Sequence, residues 1–184
     1  QRSFMRKLNV TELGRMDAEM YKDSNKLPVT VLLDDVRSLY NVGSVFRTSD
    51  AFRVERIILC GITATPDNNL VEIHKTALGA EQTVDWVYSD NCADVVKELN
   101  TKGYVTIAVE QVEDSIKLDN FIVDKNKRYA LVLGNEVKGV QQTVVDFCKM
   151  SLEIPQYGTK HSLNVSVSAG LVIWEFARQL KDIF

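Results

Sequence analysis

Val29-Thr-Val-Leu-Leu33, Asn41-Val-Gly-Ser-Val-Phe-Arg47-Thr48 and Arg56-Ile-Ile-Leu-Cys60 follow one another between residues 29 and 60. The outer two are short runs of β-branched and apolar residues, the pattern of strands buried on both faces. The middle stretch opens on Asn41, whose short amide side chain suits a helix N-cap. It then continues to about Phe52 as a helix. Strand, helix and strand in this order predict a parallel pair joined by a crossover helix.

The alternation continues outward. Gly61 to Leu70 reads as a loop around Pro66-Asp-Asn-Asn69. His74 to Glu81 leads into the run Thr83-Val-Asp-Trp-Val-Tyr88, and Asn91 caps a helix from Ala93 to Leu99. Tyr104–Val109 and Tyr129–Leu133 read as strands. A helix from about Val140 to Phe147, a strand ending at Ile154 and a final helix from Val165 to about Asp182 complete the chain. The stretch Leu163–Ala169 also has a period of two, which would suit a strand. The apolar spacing downstream through Leu171, Val172, Trp174, Phe176 and Leu180 favours a helix. Before all this, Thr11 to Asp23 is expected to form one helix with Leu13, Met16 and Met20 on its apolar face, ended at Lys26-Leu-Pro28. The organisation is an N-terminal helical extension over residues 1–26 and one α/β domain over 27–184, a mainly parallel sheet with helices on both faces.

The 184 residues suffice for a substantial core, and 45% apolar with 26% charged residues is ordinary globular composition. Neither a signal-peptide core near Gln1 nor an apolar stretch approaching the roughly 20 residues of a membrane span is present. Cys60, Cys92 and Cys148 are odd in number and widely spaced, which suits reduced thiols in a cytoplasmic protein. The net charge of −3 argues against a nonspecific DNA-coating protein but permits a local basic patch, for which Arg37, Arg47, Arg53 and Arg56 are candidates. The chain has no Walker loop, no Gly-x-Gly-x-x-Gly after the first strand and no Gly-x-Ser-x-Gly elbow. Its two histidines, His74 and His161, have no second ligand at metal spacing, so no metal is expected.

Two further blocks carry polar groups that a plain fold would not require. They are Leu133-Gly-Asn-Glu136-Val-Lys-Gly139 and Ile154-Pro-Gln-Tyr-Gly158-Thr-Lys-His-Ser162-Leu-Asn164. Each lies where an apolar run gives way to a loop, the place where open α/β folds build sites. Gly43 and Ser44 would leave backbone N–H groups open to a phosphate at the helix start. Gly134 would let a ligand pack against bare backbone. Glu136 could orient Arg47 or a ligand, or favour the start of the next helix through its dipole. Asn164 also reads as the N-cap of the last helix.

Together the three blocks, in this order, resemble the motifs of the SpoU family of RNA ribose 2′-O-methyltransferases, within the SPOUT superfamily. The resemblance runs from about Val29 to Phe176. It implies a C-terminal trefoil knot, S-adenosylmethionine as methyl donor, a homodimer whose sites draw on both subunits, and tRNA or rRNA as substrate. Carried over residue by residue, it implies Arg47, Asn41, Glu136, Ser162 and Asn164 as catalytic residues. It likewise implies Leu133, Gly134, Ile154, Gly158, Ser162 and Leu163 as cofactor-binding residues. Arginine is too basic for an ordinary general base, so electrostatic stabilisation of the ribose oxygen is the safer role for Arg47. The rival readings are an RNA-binding module of the same fold without catalysis, and an S-adenosylmethionine-dependent enzyme acting on protein or a small molecule.

Overall fold

A computed structural model of the chain describes residues 4–184. Gln1 to Ser3 of the N-terminal extension lie outside the described residues. Seven strands form one sheet: β1 (Leu27–Asp34), β2 (Val54–Cys60), β3 (Trp86–Ser89), β4 (Val105–Val109), β5 (Ile116–Lys117), β6 (Tyr129–Leu133) and β7 (Met150–Glu153). Their spatial order is β3-β2-β1-β6-β4-β7-β5. Every neighbouring pair is parallel. All C-terminal ends therefore lie along one edge.

Helices cover both faces: α1 (Ala18–Asp23), α2 (Leu39–Ala51), α3 (Leu70–Ala77), α4 (Ala80–Thr83), α5 (Cys92–Thr101), α6 (Gln142–Phe147) and α7 (Val165–Gln179). The strand period of two divides the apolar runs between them. Val29, Val31 and Leu33 face a cluster with Val42 and Phe46 of α2, Ile73 of α3, and Val172 and Phe176 of α7. Leu32, Ile58 and Val132 face the opposite cluster, with Val96 and Leu99 of α5 and Val144 of α6. Both faces are dry, which is why the central strands read as unbroken apolar runs.

The structure corrects several local expectations. The N-terminal segment is not one helix. A 3-10 turn at Thr11–Leu13 ends at Gly14 in the left-handed region (φ 61°), and α1 starts afresh with Asp17 as its cap. Leu13 and Met20 are exposed, while Tyr21 joins the main core. Leu70–Ala77, where the sequence reading assigned no helix and ended a loop at Leu70, is a helix whose Ile73 and Ala77 are buried. The helix expected from about Val140 starts at Gln142. Strand β5 has only two residues and pairs only with β7. The final helix is a helix: the Asn164 side chain accepts from Ser166 N at 2.9 Å and Val167 N at 3.3 Å. The three cysteines are free thiols.

Candidate active site

The loop leaving β6 is built from its own backbone. Asn135 N donates to Gly139 O at 3.0 Å and Gly139 N to Asn135 O at 2.8 Å, closing a tight ring. The Asn135 Oδ1 accepts from Val137 N and Lys138 N, and its Nδ2 donates to Asp35 O at 2.8 Å. A Cβ on Gly134 would collide with the backbone of Gly139 and Val140. Gly134 is thus bare because the loop folds back on it. Gly139 has φ +69°, and a Cβ there would strike the Glu110 carboxylate. That carboxylate accepts from Val140 N at 3.0 Å and from Gln111 N at 2.9 Å.

Glu136 reaches from the same loop to the start of α2, not to the helix that follows it in sequence. It accepts from Arg37 N at 3.0 Å, Ser38 N at 2.9 Å and Asn41 Nδ2 at 3.2 Å. Burial alone would raise its pKa. The N–H donors of Arg37 and Ser38, with the Asn41 amide, outweigh burial and hold the carboxyl below the ordinary range. The N-cap of α2 is Ser38, whose Oγ accepts from Asn41 N at 3.2 Å, so Asn41 sits inside the first turn. Its amide is directed to Glu136, and its Oδ1 is buried without a partner among the described residues. The α2 N-terminus, read from sequence as open to phosphate, already holds this carboxylate. Gly43 is there for packing: a Cβ would strike Thr76 and the Ile73 carbonyl of α3.

Beside this network a cavity of about 500 Å³ opens at the C-terminal ends of β4, β6 and β7. Its walls include Leu133, Gly134, Glu136, Ile154, Ser162, Leu163 and Asn164, so two of the three sequence blocks meet there. Asn41 stands behind the wall, bonded to Glu136. Gly158 and Arg47 do not line the cavity. Gly158 is exposed on the loop between β7 and α7. Arg47 is exposed on α2, and its side chain makes no hydrogen bond or ion pair among the described residues. Glu110 and Gln111 are wall residues that sequence reading missed. Gln111 Nε2 donates to His161 O at 2.6 Å, tying the β4 end to the long loop. Their signal was the position itself, two polar residues directly after the strand Tyr104–Val109.

Volume, mixed polar and apolar walls and a place at strand C-termini suit a nucleoside-sized ligand. The model of the SpoU rRNA Methylase family matches residues 28–174, from β1 into α7. The chain belongs to the SpoU family. It is 31% identical to the 23S rRNA (guanosine-2′-O-)-methyltransferase RlmB of Neisseria meningitidis over 88% of this chain and 62% of that protein. It is 30% identical to a putative TrmH family tRNA/rRNA methyltransferase of Bacillus subtilis over 94% of this chain and 68% of that one. It therefore spans about two thirds of these SpoU relatives. Among solved structures, the TrmH/SpoU tRNA modifying enzyme of A. aeolicus superposes with a TM-score of 0.76 at 27% identity, over 90% of this chain and 81% of that one. An AdoMet-bound rRNA methyltransferase from Sinorhizobium meliloti gives 0.75 at 26% identity, over 89% and 60%.

Proposed function

We propose that this chain is a cytoplasmic, S-adenosylmethionine-dependent methyltransferase acting on a ribose 2′-hydroxyl of tRNA or rRNA, with residues 27–184 as the methyltransferase domain. The observation that carries the reading is the cavity where the Leu133–Gly139 loop, the Ile154–Asn164 loop and the Glu136–Asn41 pair meet. SpoU membership and the AdoMet-bound Sinorhizobium relative support the donor. The name of the Neisseria relative supports the ribose oxygen. A C-terminal trefoil knot, with these two loops as its crossings, belongs to the same proposal.

Bound S-adenosylmethionine would supply a methyl group on a sulfonium whose sulfur would keep the S–C electron pair as a neutral thioether, and the ribose hydroxyl would give up its proton to solvent. The chain's part is to align and stabilise. Leu133, Gly134, Ile154, Ser162 and Leu163 would hold the donor, largely through main-chain groups and apolar side chains. Gly158 would serve the loop that carries three of them. Glu136 and Asn41 tie the start of α2 to the loop that lines the cavity. Ser162 and Asn164 would face the ribose, although the Asn164 Oδ1 is shared with the α7 cap. Arg47 would stabilise the developing oxygen charge.

Arg47 does not line the cavity of its own protomer, and we infer that it serves the site of a second copy. Val167, Leu171 and Trp174 form an exposed apolar stripe at i, i+4 and i+7 on α7, against which α2 packs. Gly170 lies beside the stripe with open space where a Cβ would be, room for close approach of another helix. A homodimer through α7 would carry the α2 residue Arg47 toward the partner's cavity.

The test is transfer of tritiated methyl from the donor to bulk RNA, with the product identified as an alkali-resistant ribose-methylated nucleotide. Arg47→Ala is expected to abolish transfer while donor affinity stays within about twofold. Donor binding without transfer to any RNA by the unaltered chain would favour the silent RNA-binding module. A labelled product that survives ribonuclease would favour a protein or small-molecule substrate.

A further inference from the structure

The carboxylates around the cavity differ in how their charge is balanced. Glu153 pairs with Lys117. Glu136 lies at the N-terminus of α2, where the helix dipole opposes its charge. Glu110 has neither. It accepts from two isolated backbone N–H groups, those of Gln111 and Val140, and makes no ion pair among the described residues. Its carboxylate reaches the wall because Gly139 has no side chain in the way. Lys138, the one lysine of the wall, is exposed at the rim.

We propose that Glu110 is a specificity-determining residue that makes the cavity discriminate by charge between methyl donor and spent product. This rests on the donor reading above. The donor carries a positive sulfonium; the product left after transfer, S-adenosylhomocysteine, carries a neutral thioether and is otherwise the same molecule. An uncompensated carboxylate in the wall favours the first and is indifferent to the second. The charge lost in the reaction thus loosens the hold on the product and opposes its rebinding. A cavity of this volume keeps any bound ligand within about 10 Å of its wall. A unit charge about 8 Å away in a half-open site is worth roughly fivefold in a binding constant.

The experiment is calorimetric titration of the full chain with S-adenosylmethionine, with S-adenosylhomocysteine, and with an analogue bearing an ammonium centre in place of the sulfonium. Glu110→Gln keeps the length and one acceptor but removes the charge. Its donor-to-product affinity ratio is expected to fall about fivefold, with the ammonium analogue following the donor. Glu110→Asp keeps the charge and loses the reach to Val140 N. It should weaken both ligands and preserve the ratio. If the ratio is the same in the unaltered chain and in Glu110→Gln while both ligands bind, the proposal is overturned and Glu110 only braces the loop. If Glu110→Gln binds neither ligand, the unaltered chain decides: a ratio that does not fall between low and high salt overturns the proposal. Failure of the unaltered chain to bind either ligand refutes the donor reading itself.

Discussion

Gly134→Ala, set beside Gly158→Ala, separates a glycine required by the fold from one in the neighbouring block that the fold does not require. A Cβ at Gly134 would overlap the carbonyl of Gly139 and the nitrogen of Val140, all backbone atoms that cannot rotate away. The loop must open, and the first bonds lost are the reciprocal pair between Asn135 and Gly139, at 3.0 and 2.8 Å. Two such bonds contribute about 1 kcal/mol each, and forcing an atom into a packed site adds roughly 1–2 kcal/mol. The expected loss is about 3 kcal/mol, accompanied by weaker donor binding because Gly134, Glu136 and Gly139 all line the cavity. Gly158→Ala is the control. Nothing lies within 4 Å of its Cβ position and its φ is not positive, so stability should change by less than about 0.5 kcal/mol. Urea unfolding of the two variants, with donor titration of each, makes the comparison. Equal stabilities for both would refute the steric argument.

Three other outcomes follow from the same geometry. Burial, then the neighbouring Asp35 charge, raises the Asp34 pKa to about 6 against the opposing Gln141 hydrogen bond. A carboxyl raised above its unfolded value of about 3.9 costs stability as pH climbs through that interval. Asp34→Asn should therefore be more stable by up to about 3 kcal/mol at pH 7, with most of the gain gone by pH 4 in urea titrations. Glu136 has the opposite sign: its lowered pKa contributes stability that is present above the unfolded value and lost as pH falls through the folded one. Glu136→Gln should be less stable than the unaltered chain at neutral pH, with the gap closing in acid below about pH 4. Leu171→Glu, on the exposed stripe of α7, should convert a dimer to a monomer in sedimentation without lowering the unfolding midpoint of the protomer; an unchanged sedimentation coefficient with a dimer intact would remove α7 from the interface.

The elements legible in the sequence were those whose residues see a uniform environment. Tyr129–Leu133 has the same limits as strand β6 because both faces of a central parallel strand are apolar, and its run starts and stops with burial. The last helix was legible through Asn164 and the apolar spacing after it. Where two local signals competed, distant contacts decided. Ser38 and Asn41 are both good caps, and Ser38 takes the position because Glu136, 95 residues beyond Asn41, draws the Asn41 amide away. The break in the N-terminal helix was visible in Gly14 but weaker than the periodicity around it. Helix α3 was missed because its apolar face is narrow, with only Ile73 and Ala77 buried. Glu110 was missed because no motif contains it; the parallel sheet alone brings the end of β4 beside the Gly134–Gly139 loop.

These contacts also change which residues can tell an enzyme from a silent binder of the same fold. Gly43 is required by the α2–α3 packing, and Gly134 and Gly139 by a loop that closes on itself. Glu136 and Asn41 hold the start of α2, and Asn164 caps α7. A chain that had lost catalysis would still need each of them to fold, so their presence says little about chemistry. Arg47 differs. It is exposed, its side chain has no hydrogen bond or ion pair among the described residues, and long charged side chains lose entropy when ordered. Folding of the protomer gives no reason for a guanidinium at that position, whereas the proposed oxygen nucleophile in a second copy's cavity would. The weight of the catalytic reading therefore rests on Arg47 and not on the motif glycines. Loss of methyl transfer in Arg47→Ala with the unfolding midpoint unchanged is the pairing of results that this reasoning requires; a destabilised variant would make Arg47 one more structural residue of the motif.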